Sequence, residues 1–246
     1  MGTELDIHNR SRLLLGDDNM ERLKNAKVIV FGVGGVGSWC VESLVRTGVT
    51  NITIVDSDRV SDSNINRQLM ATTETVGRVK VEALKEYLLR INPDANIDAR
   101  EEVFTAETAD RFDLDSYDYI IDAIDSLKDK MLLIEMATAT KAKFYSSMGA
   151  ALKLDPTRIR VAEFWKVTGC PLARALRQRF KKQKRYPKRK FLCVYSDELL
   201  ANKGEAPTER TGRDLYKASI NGSLQHITAI FGLTLAGLLI QDLTTR

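Results

Sequence analysis

Six residues, Gly32-Val-Gly-Gly-Val-Gly37, constrain what this chain can fold into more than any other feature. They follow Lys27-Val-Ile-Val-Phe31, a short and continuously apolar run of the kind buried on both faces of a parallel sheet. They precede Ser38 to Thr47, where Cys40, Val41, Leu44 and Val45 recur at helical spacing until Gly48 stops the helix. Asn51-Ile-Thr-Ile-Val55 reads as a second strand, ending in Asp56-Ser-Asp58. Strand, glycine turn, helix and strand form one βαβ unit, the opening of a doubly wound fold. A glycine turn there lets backbone N–H groups approach phosphates at a positive helix end. Gly32, Gly34, Gly35 and Gly37 are therefore candidate nucleotide contacts. The turn fits a dinucleotide equally well, with Asp56 where a ribose-binding acid stands in that fold.

The alternation continues. Val76 to Ile91 and Leu127 to Lys141 read as helices, and Asn96 to Val103, Tyr117 to Ala123 and Lys143 to Ser147 as strands. Asp6 to Leu23 reads as helical, with a turn at Gly16-Asp17-Asp18. The expected fold is α/β and Rossmann-like: a doubly wound, mainly parallel sheet with flanking helices over residues 1–150. After Asp155-Pro156 the character changes. Ile159 to Trp165 suits a strand, Arg174 to Lys190 is densely basic, Tyr195 to Gly212 is loop-rich with Pro207, and an apolar helix closes the chain. Residues 151–246 are expected to form a smaller α+β extension of the same compact domain, which a chain of 246 residues allows.

The apolar run from Ile227 to Ile240 falls short of the ~20 residues a membrane span needs, and Thr228, Gly232, Thr234 and Gly237 interrupt it. It reads as a buried or interface helix, not a stable span; peripheral contact with a membrane surface stays open. Cys40, Cys170 and Cys193 form no CxxC pair. A four-cysteine zinc site is excluded, and reduced thiols suit a cytoplasmic protein.

A polar series follows the second strand: Asp56-Ser-Asp58, Ser63-Asn-Ile-Asn-Arg-Gln68 and Gly77-Arg-Val-Lys80. A dinucleotide site needs no such series. A triphosphate site does, because three phosphates need several convergent donors. Arg67 offers a planar fork, Lys80 a point charge at a helix start, and Asn64 and Gln68 neutral donors. Asp125, in Asp122-Ala-Ile-Asp125, falls at the carboxyl end of a strand, in the crevice where open α/β sheets bind ligands. A carboxylate near phosphates there suits magnesium, so ATP and Mg2+ are the expected cofactors.

In this order Gly-x-Gly-Gly-x-Gly, the Asp-x-Asp pair, Asn-Ile-Asn-Arg-Gln, Gly-x-x-Lys and Asp-x-x-Asp-Ser resemble the superfamily of ubiquitin-activating enzymes and the bacterial ThiF and MoeB proteins. The resemblance implies that Asp58 holds the ribose hydroxyls, that Asn64, Arg67, Gln68 and Lys80 handle phosphates, and that Asp125 binds magnesium. It implies a homodimer in which Arg12, of Ser11-Arg-Leu-Leu14, reaches the partner's ATP, with Arg10 as the fallback. Arg12, Arg67, Lys80 and Asp125 are then the catalytic set.

Gly35-Val-Gly-Ser-Trp39 with Glu42, Ile121-Asp-Ala-Ile-Asp-Ser126, Asp155-Pro-Thr-Arg-Ile159, Cys170-Pro-Leu-Ala-Arg174, Leu192-Cys-Val-Tyr-Ser-Asp-Glu198 and Ile227-Thr-Ala-Ile-Phe-Gly232 resemble the tRNA threonylcarbamoyladenosine dehydratases. That family implies ATP-dependent dehydration and cyclisation of threonylcarbamoyladenosine in tRNA, by adenylation of its carboxylate. The paired zinc cysteines of ThiF and MoeB are missing here, as suits those dehydratases. Where some of them carry a cysteine before the final helix, this chain reads Tyr216-Lys-Ala-Ser-Ile220. A cysteine desulfurase or sulfur-acceptor system stays open as a partner.

The segment 172–190 fits a tRNA backbone, with Arg177, Arg179, Lys181, Lys182, Lys184, Arg185, Lys188, Arg189 and Lys190 as phosphate contacts and Phe180 and Tyr186 as stacking residues. Cys193 reads as a small buried hydrophobe, His226 as an interior histidine, and Trp39 and Phe231 as core. Two rival readings remain: an adenylating enzyme for the C-terminus of a ubiquitin-like or sulfur-carrier protein, and a nucleotide-sensing module without chemistry.

Overall fold

The computed structural model describes residues 6–205 and 220–245. Two helices, α1 (Asn9–Leu15) and α2 (Asp17–Asn25), lead into the βαβ unit β1 (Lys27–Phe31), α3 (Gly37–Thr47) and β2 (Asn51–Val55). Then come α4 (Lys80–Ile91), β3 (Asn96–Arg100), β4 (Tyr119–Asp122), α5 (Leu127–Ala137) and β5 (Lys143–Ser147). The rest supplies β6 (Ile159–Glu163), α6 (Pro171–Gln183), β7 (Leu192–Ser196) and α7 (Gln225–Thr244). The strands make one seven-stranded sheet in the order β3-β2-β1-β4-β5-β7-β6. Every pairing is parallel except that of β6 with β7. The expected fold class holds, and the last two strands extend the same sheet.

Successive strand residues point to opposite faces, so a fully apolar strand feeds two layers. Val28 and Val30 pack on one face with Leu44 of α3, Leu84 of α4 and Phe231 of α7, whereas Ile29 and Phe31 pack on the other with Ile134 of α5 and Phe180 of α6. α7 is long and apolar enough to cross a membrane. Its face carrying Ile227, Phe231, Leu235 and Leu239 is buried in this core, and Phe231 is core as expected. A Cβ on Gly232 would lie 2.3 Å from Val36 O, so α7 sits directly on the turn that opens α3.

Several boundaries differ from the sequence reading. The expected turn falls on Gly16 alone, with φ of 78°; Asp17 and Asp18 already belong to α2. α4 starts at Lys80, not Val76: Gly77 has φ of 86°, and Val79 is extended and bridges Arg59. α5 stops at Ala137, where Thr138 turns its hydroxyl back onto Ile134 O at 2.7 Å. β3 and β4 are shorter than expected, and β6 ends at Glu163 in a short 3-10 turn, Phe164–Lys166. α6 and β7 were not anticipated as elements; the density of charge hid the spacing of Ala173, Leu176 and Phe180, which bury one face of α6. Pro207, Gly212 and residues 216–219 lie outside the described residues.

Candidate active site

A cleft of ≈ 840 Å³ lies along the carboxyl ends of β1, β2, β4 and β5. Its floor is the glycine turn. Gly32 has φ of +84°, and a Cβ there would lie 2.8 Å from Ala123 O. A Cβ on Gly37 would meet Gly32 O at 1.8 Å. The turn is therefore closed against its own backbone and against the end of β4, which leaves its N–H side toward the cleft. Gly32→Ala is expected to destabilise the fold by roughly 2 kcal/mol or more, read as a fall in melting temperature.

Asp56 stands behind this turn. Its carboxylate accepts from Val33 N and from Asp58 N, each at 2.9 Å. Each oxygen accepts one main-chain N–H, which braces the turn, and Asp56 and Asp58 both line the cleft. Lys80, 5% exposed at the start of α4, places its ammonium 3.0 Å from Asp58 Oδ2, and its own N–H donates to Asp58 O. One cation and one carboxylate thus meet at the positive end of a helix, where phosphate oxygens are favoured.

The segment 63–68 forms the adjacent wall. Asn64 is buried and accepts Ser61 N at 3.2 Å, closing a short 3-10 turn. Arg67 donates through Nη1 to Ser63 O and Asn66 Oδ1, both at 2.8 Å. Its backbone carbonyl accepts the indole N–H of Trp39 at 3.0 Å, and Trp39 is half-buried, not core. Gln68 is 7% exposed, lines the cleft, and has a buried Oε1 with no hydrogen-bond partner. A buried polar atom at a cleft wall without a partner suits a site built for a polar ligand. Asp125 and, one helical turn on, Asp129 line the opposite wall.

The cleft therefore brings together Gly32, Gly34, Gly35, Asp56, Asp58, Asn64, Arg67, Gln68, Lys80 and Asp125. Gly37 lies just behind the turn. Arg12 does not line it; its guanidinium pairs with Asp17 at 2.8 Å and Asp6 at 3.5 Å, beside Leu13 and Leu14, which are 77% and 83% exposed. The far end of the cleft, formed by residues 147–151, Leu172, Ile220, Asn221, Ser223 and Thr228, is not legible in the sequence. Neither is Lys130, a cation fully buried behind Asp125.

The basic segment divides. Lys181, Lys182, Lys184, Lys188 and Lys190 are exposed, and Arg179 half-buried, because the apolar face of α6 turns inward. Arg177 donates to Phe164 O and Val167 O at 3.0 and 2.8 Å. Arg185 pairs with Glu135, and Arg189 donates to Ala137 O at the end of α5 and to Ala142 O just before β5. These three arginines fasten α6 and the segment after it to the body. Phe180 is fully buried and cannot stack on a base; Tyr186 is exposed beside Trp165. His226, expected inside, is exposed and its Nε2 lies 3.0 Å from Leu154 O. All three cysteines are buried. Burial pushes the Cys40 thiol up to about 12 and Cys193 well above its ordinary value, which suppresses thiolate chemistry at both.

A family model described as the ThiF family matches residues 8–246. A Bacillus subtilis protein named tRNA threonylcarbamoyladenosine dehydratase is 36% identical over 239 residues, which are 96% of this chain and 93% of that protein. A Haemophilus influenzae protein of the same name is 34% identical over 234 residues, 93% of this chain and 90% of its own. The crystal structure of Escherichia coli tRNA N6-threonylcarbamoyladenosine dehydratase, TcdA, in complex with ATP is similar with a TM-score of 0.84 and 30% identity, covering 96% of this chain and 93% of that one.

Proposed function

The chain belongs to the ThiF family and, within it, to the tRNA threonylcarbamoyladenosine dehydratases, and on that premise we propose that it activates the threonylcarbamoyl carboxylate of modified tRNA with ATP and closes it into a ring with loss of water. The observation that carries this reading is the convergence of the glycine turn, the Asp58–Lys80 pair and Arg67 on one cleft, which continues past them into space for a second substrate.

A carboxylate resists weak nucleophiles because its oxygen is a poor leaving group. Attack of that oxygen on the α-phosphorus of ATP, with departure of pyrophosphate, gives a mixed anhydride whose leaving group is AMP. A protonated atom of the threonylcarbamoyl group then bonds to the carboxyl carbon and releases its proton to solvent, and the bond from that carbon to the AMP oxygen breaks. The original carboxylate oxygen leaves in AMP, so the nucleoside loses one water overall. Lys80 and Arg67 hold fixed positive charge where negative charge builds on phosphate oxygens, and the glycine turn and Asp58 fix the nucleotide in line for attack.

Magnesium fits this chain's residues. It takes one or two carboxylates and completes its shell with phosphates and water. Asp125 and Asp129 supply that number, whereas the described residues hold no group of three or more ligands that would cage an ion by themselves. When bound, the ion would neutralise phosphate charge.

The test is mass spectrometry of nucleosides from threonylcarbamoylated tRNA treated with the protein, ATP and magnesium. Loss of one water from the modified nucleoside, dependent on ATP, supports the proposal. ATP consumption without that mass change overturns the substrate and redirects the search to a carrier-protein C-terminus. We also propose a cytoplasmic setting and a tRNA-facing surface on the exposed lysines of α6 and the residues after it. Reversing Lys181, Lys182 and Lys184 together to glutamate is expected to weaken tRNA binding by about tenfold or more. The salt dependence of binding should flatten with it, by about 0.9 in slope per lost phosphate contact, while ATP binding is unchanged.

A further inference from the structure

We infer that Lys130 is a positioning residue for the nucleotide cleft: its buried ion pair with Asp122 fixes the turn that presents Asp125. The inference rests on the reading of Asp125 as a metal-binding carboxylate. Lys130 and Asp122 both have fully buried side chains, with Nζ 2.7 Å from Asp122 Oδ2. The ammonium also donates to Ile124 O at 3.0 Å, and Asp122 Oδ1 accepts Ile124 N at 3.0 Å. Both polar backbone groups of Ile124 are thus bound by a single buried pair, one residue before Asp125. Asp122 Oδ2 is steadied from β5 by Ser146 Oγ at 2.6 Å. On the other side Ala123 N donates to Phe31 O at 2.8 Å, and Ala123 O abuts Gly32. The turn is clamped from behind at each peptide up to the one that carries Asp125.

Stability alone is a poor reason for such a pair. Taking two charges out of water cancels much of their attraction, and apolar residues of similar volume often serve a core as well. What an apolar residue cannot do is hold the Ile124 carbonyl and so set the plane of the peptide that aims Asp125. Misplacement of a catalytic group by about 1 Å costs up to ~100-fold in rate.

The test compares Lys130→Met with Lys130→Met/Asp122→Asn. The single variant leaves Asp122 as an uncompensated buried charge and can fail to fold. The double variant removes both charges while keeping an acceptor for Ile124 N and a partner for Ser146. Thermal melting identifies the folded variants. In the folded double variant, amide exchange at residues 123–126 is expected to rise roughly 100-fold with β1 and β4 unchanged. Mn2+ affinity of the complex with a non-hydrolysable ATP analogue, read by electron paramagnetic resonance, is expected to fall roughly tenfold. Unchanged exchange at 123–126 overturns the inference. So does wild-type Mn2+ affinity where the control variant Asp125→Asn loses it. If Asp125→Asn itself binds Mn2+ like wild type, the metal reading of Asp125 falls, and the exchange measurement alone decides the role of Lys130.

Discussion

Lys80→Ala is expected to lower ATP–pyrophosphate exchange by about 1,000-fold, and Arg67→Ala by a comparable factor, with the fold intact in both. Lys80 is buried beside its counter-ion Asp58, at the first residue of α4 and within the cleft. A cation already stripped of water and held in place needs no reorganisation when charge moves onto the phosphates, which is why its removal falls mainly on kcat. The structural cost is small by comparison, about 1 kcal/mol, because the Asp58 side chain is 26% exposed and can be solvated once its partner is gone. Arg67 donates to Ser63 O and Asn66 Oδ1 within one loop at the cleft wall and belongs to neither core cluster, so its truncation is also expected to leave the fold intact. Asp58→Ala should behave differently. It removes an acceptor that the resemblance assigns to the ribose, present in ground and transition states alike, and is expected to raise the KM for ATP about tenfold with less effect on kcat. The check is exchange kinetics at varied ATP beside a circular-dichroism melt; a folded Lys80→Ala variant with normal exchange would remove this cleft as the adenylation site.

The parts of the site legible in the sequence are those whose function forces a local pattern. The glycine turn between β1 and α3 is legible because its tightest contact is local, Gly37 against Gly32 O, and the rest of the pattern follows from a strand that must turn into a helix. Asp58, Arg67 and Lys80 were legible because their order after β2 is itself a motif. Asp56 is legible as a cleft residue, but its second role is not, because a strand-end acid can brace a turn as well as face a ligand. Only the direction of its two oxygens, onto Val33 N and Asp58 N, reveals the brace. Lys130 left no trace, since a lysine in a helical segment looks like a surface residue until Asp122, on the preceding strand, is placed 2.7 Å away. The basic segment failed in the opposite way. Its charge was read as surface throughout, yet Arg177 caps the carbonyls of a neighbouring turn and Phe180 fills the core under α6. Composition reports which groups are present, and burial decides which of them a partner can reach.

Arg12 gives the second large expected effect, and its test separates one protomer's chemistry from two. Arg12→Ala is expected to lower adenylation by about 1,000-fold or more, within the range known for arginines supplied in trans to a phosphoryl-transfer site. Within its own chain Arg12 does not line the cleft: it pairs with Asp6 and Asp17 on the solvent side of α1. Those exposed pairs are worth little, so the loss of Arg12 should barely change melting. Next to it Leu13 and Leu14 stand mostly exposed, while Leu15, the last residue of α1, packs partly buried against the core. A short helix that carries an arginine beside two exposed leucines suits docking on the second copy that the resemblance implies, with the guanidinium delivered into the partner's cleft. Mixing makes the proposal decisive. In a dimer of one Arg12→Ala and one Lys80→Ala protomer, the site that keeps Lys80 receives Arg12 from its neighbour and works, while the other site lacks both. Equimolar refolding of the two inactive variants puts about half of all dimers in this mixed state by random pairing. About a quarter of wild-type activity should then return. An arginine acting within its own chain restores none, and a monomer in analytical ultracentrifugation at assay concentration removes the route by which it could.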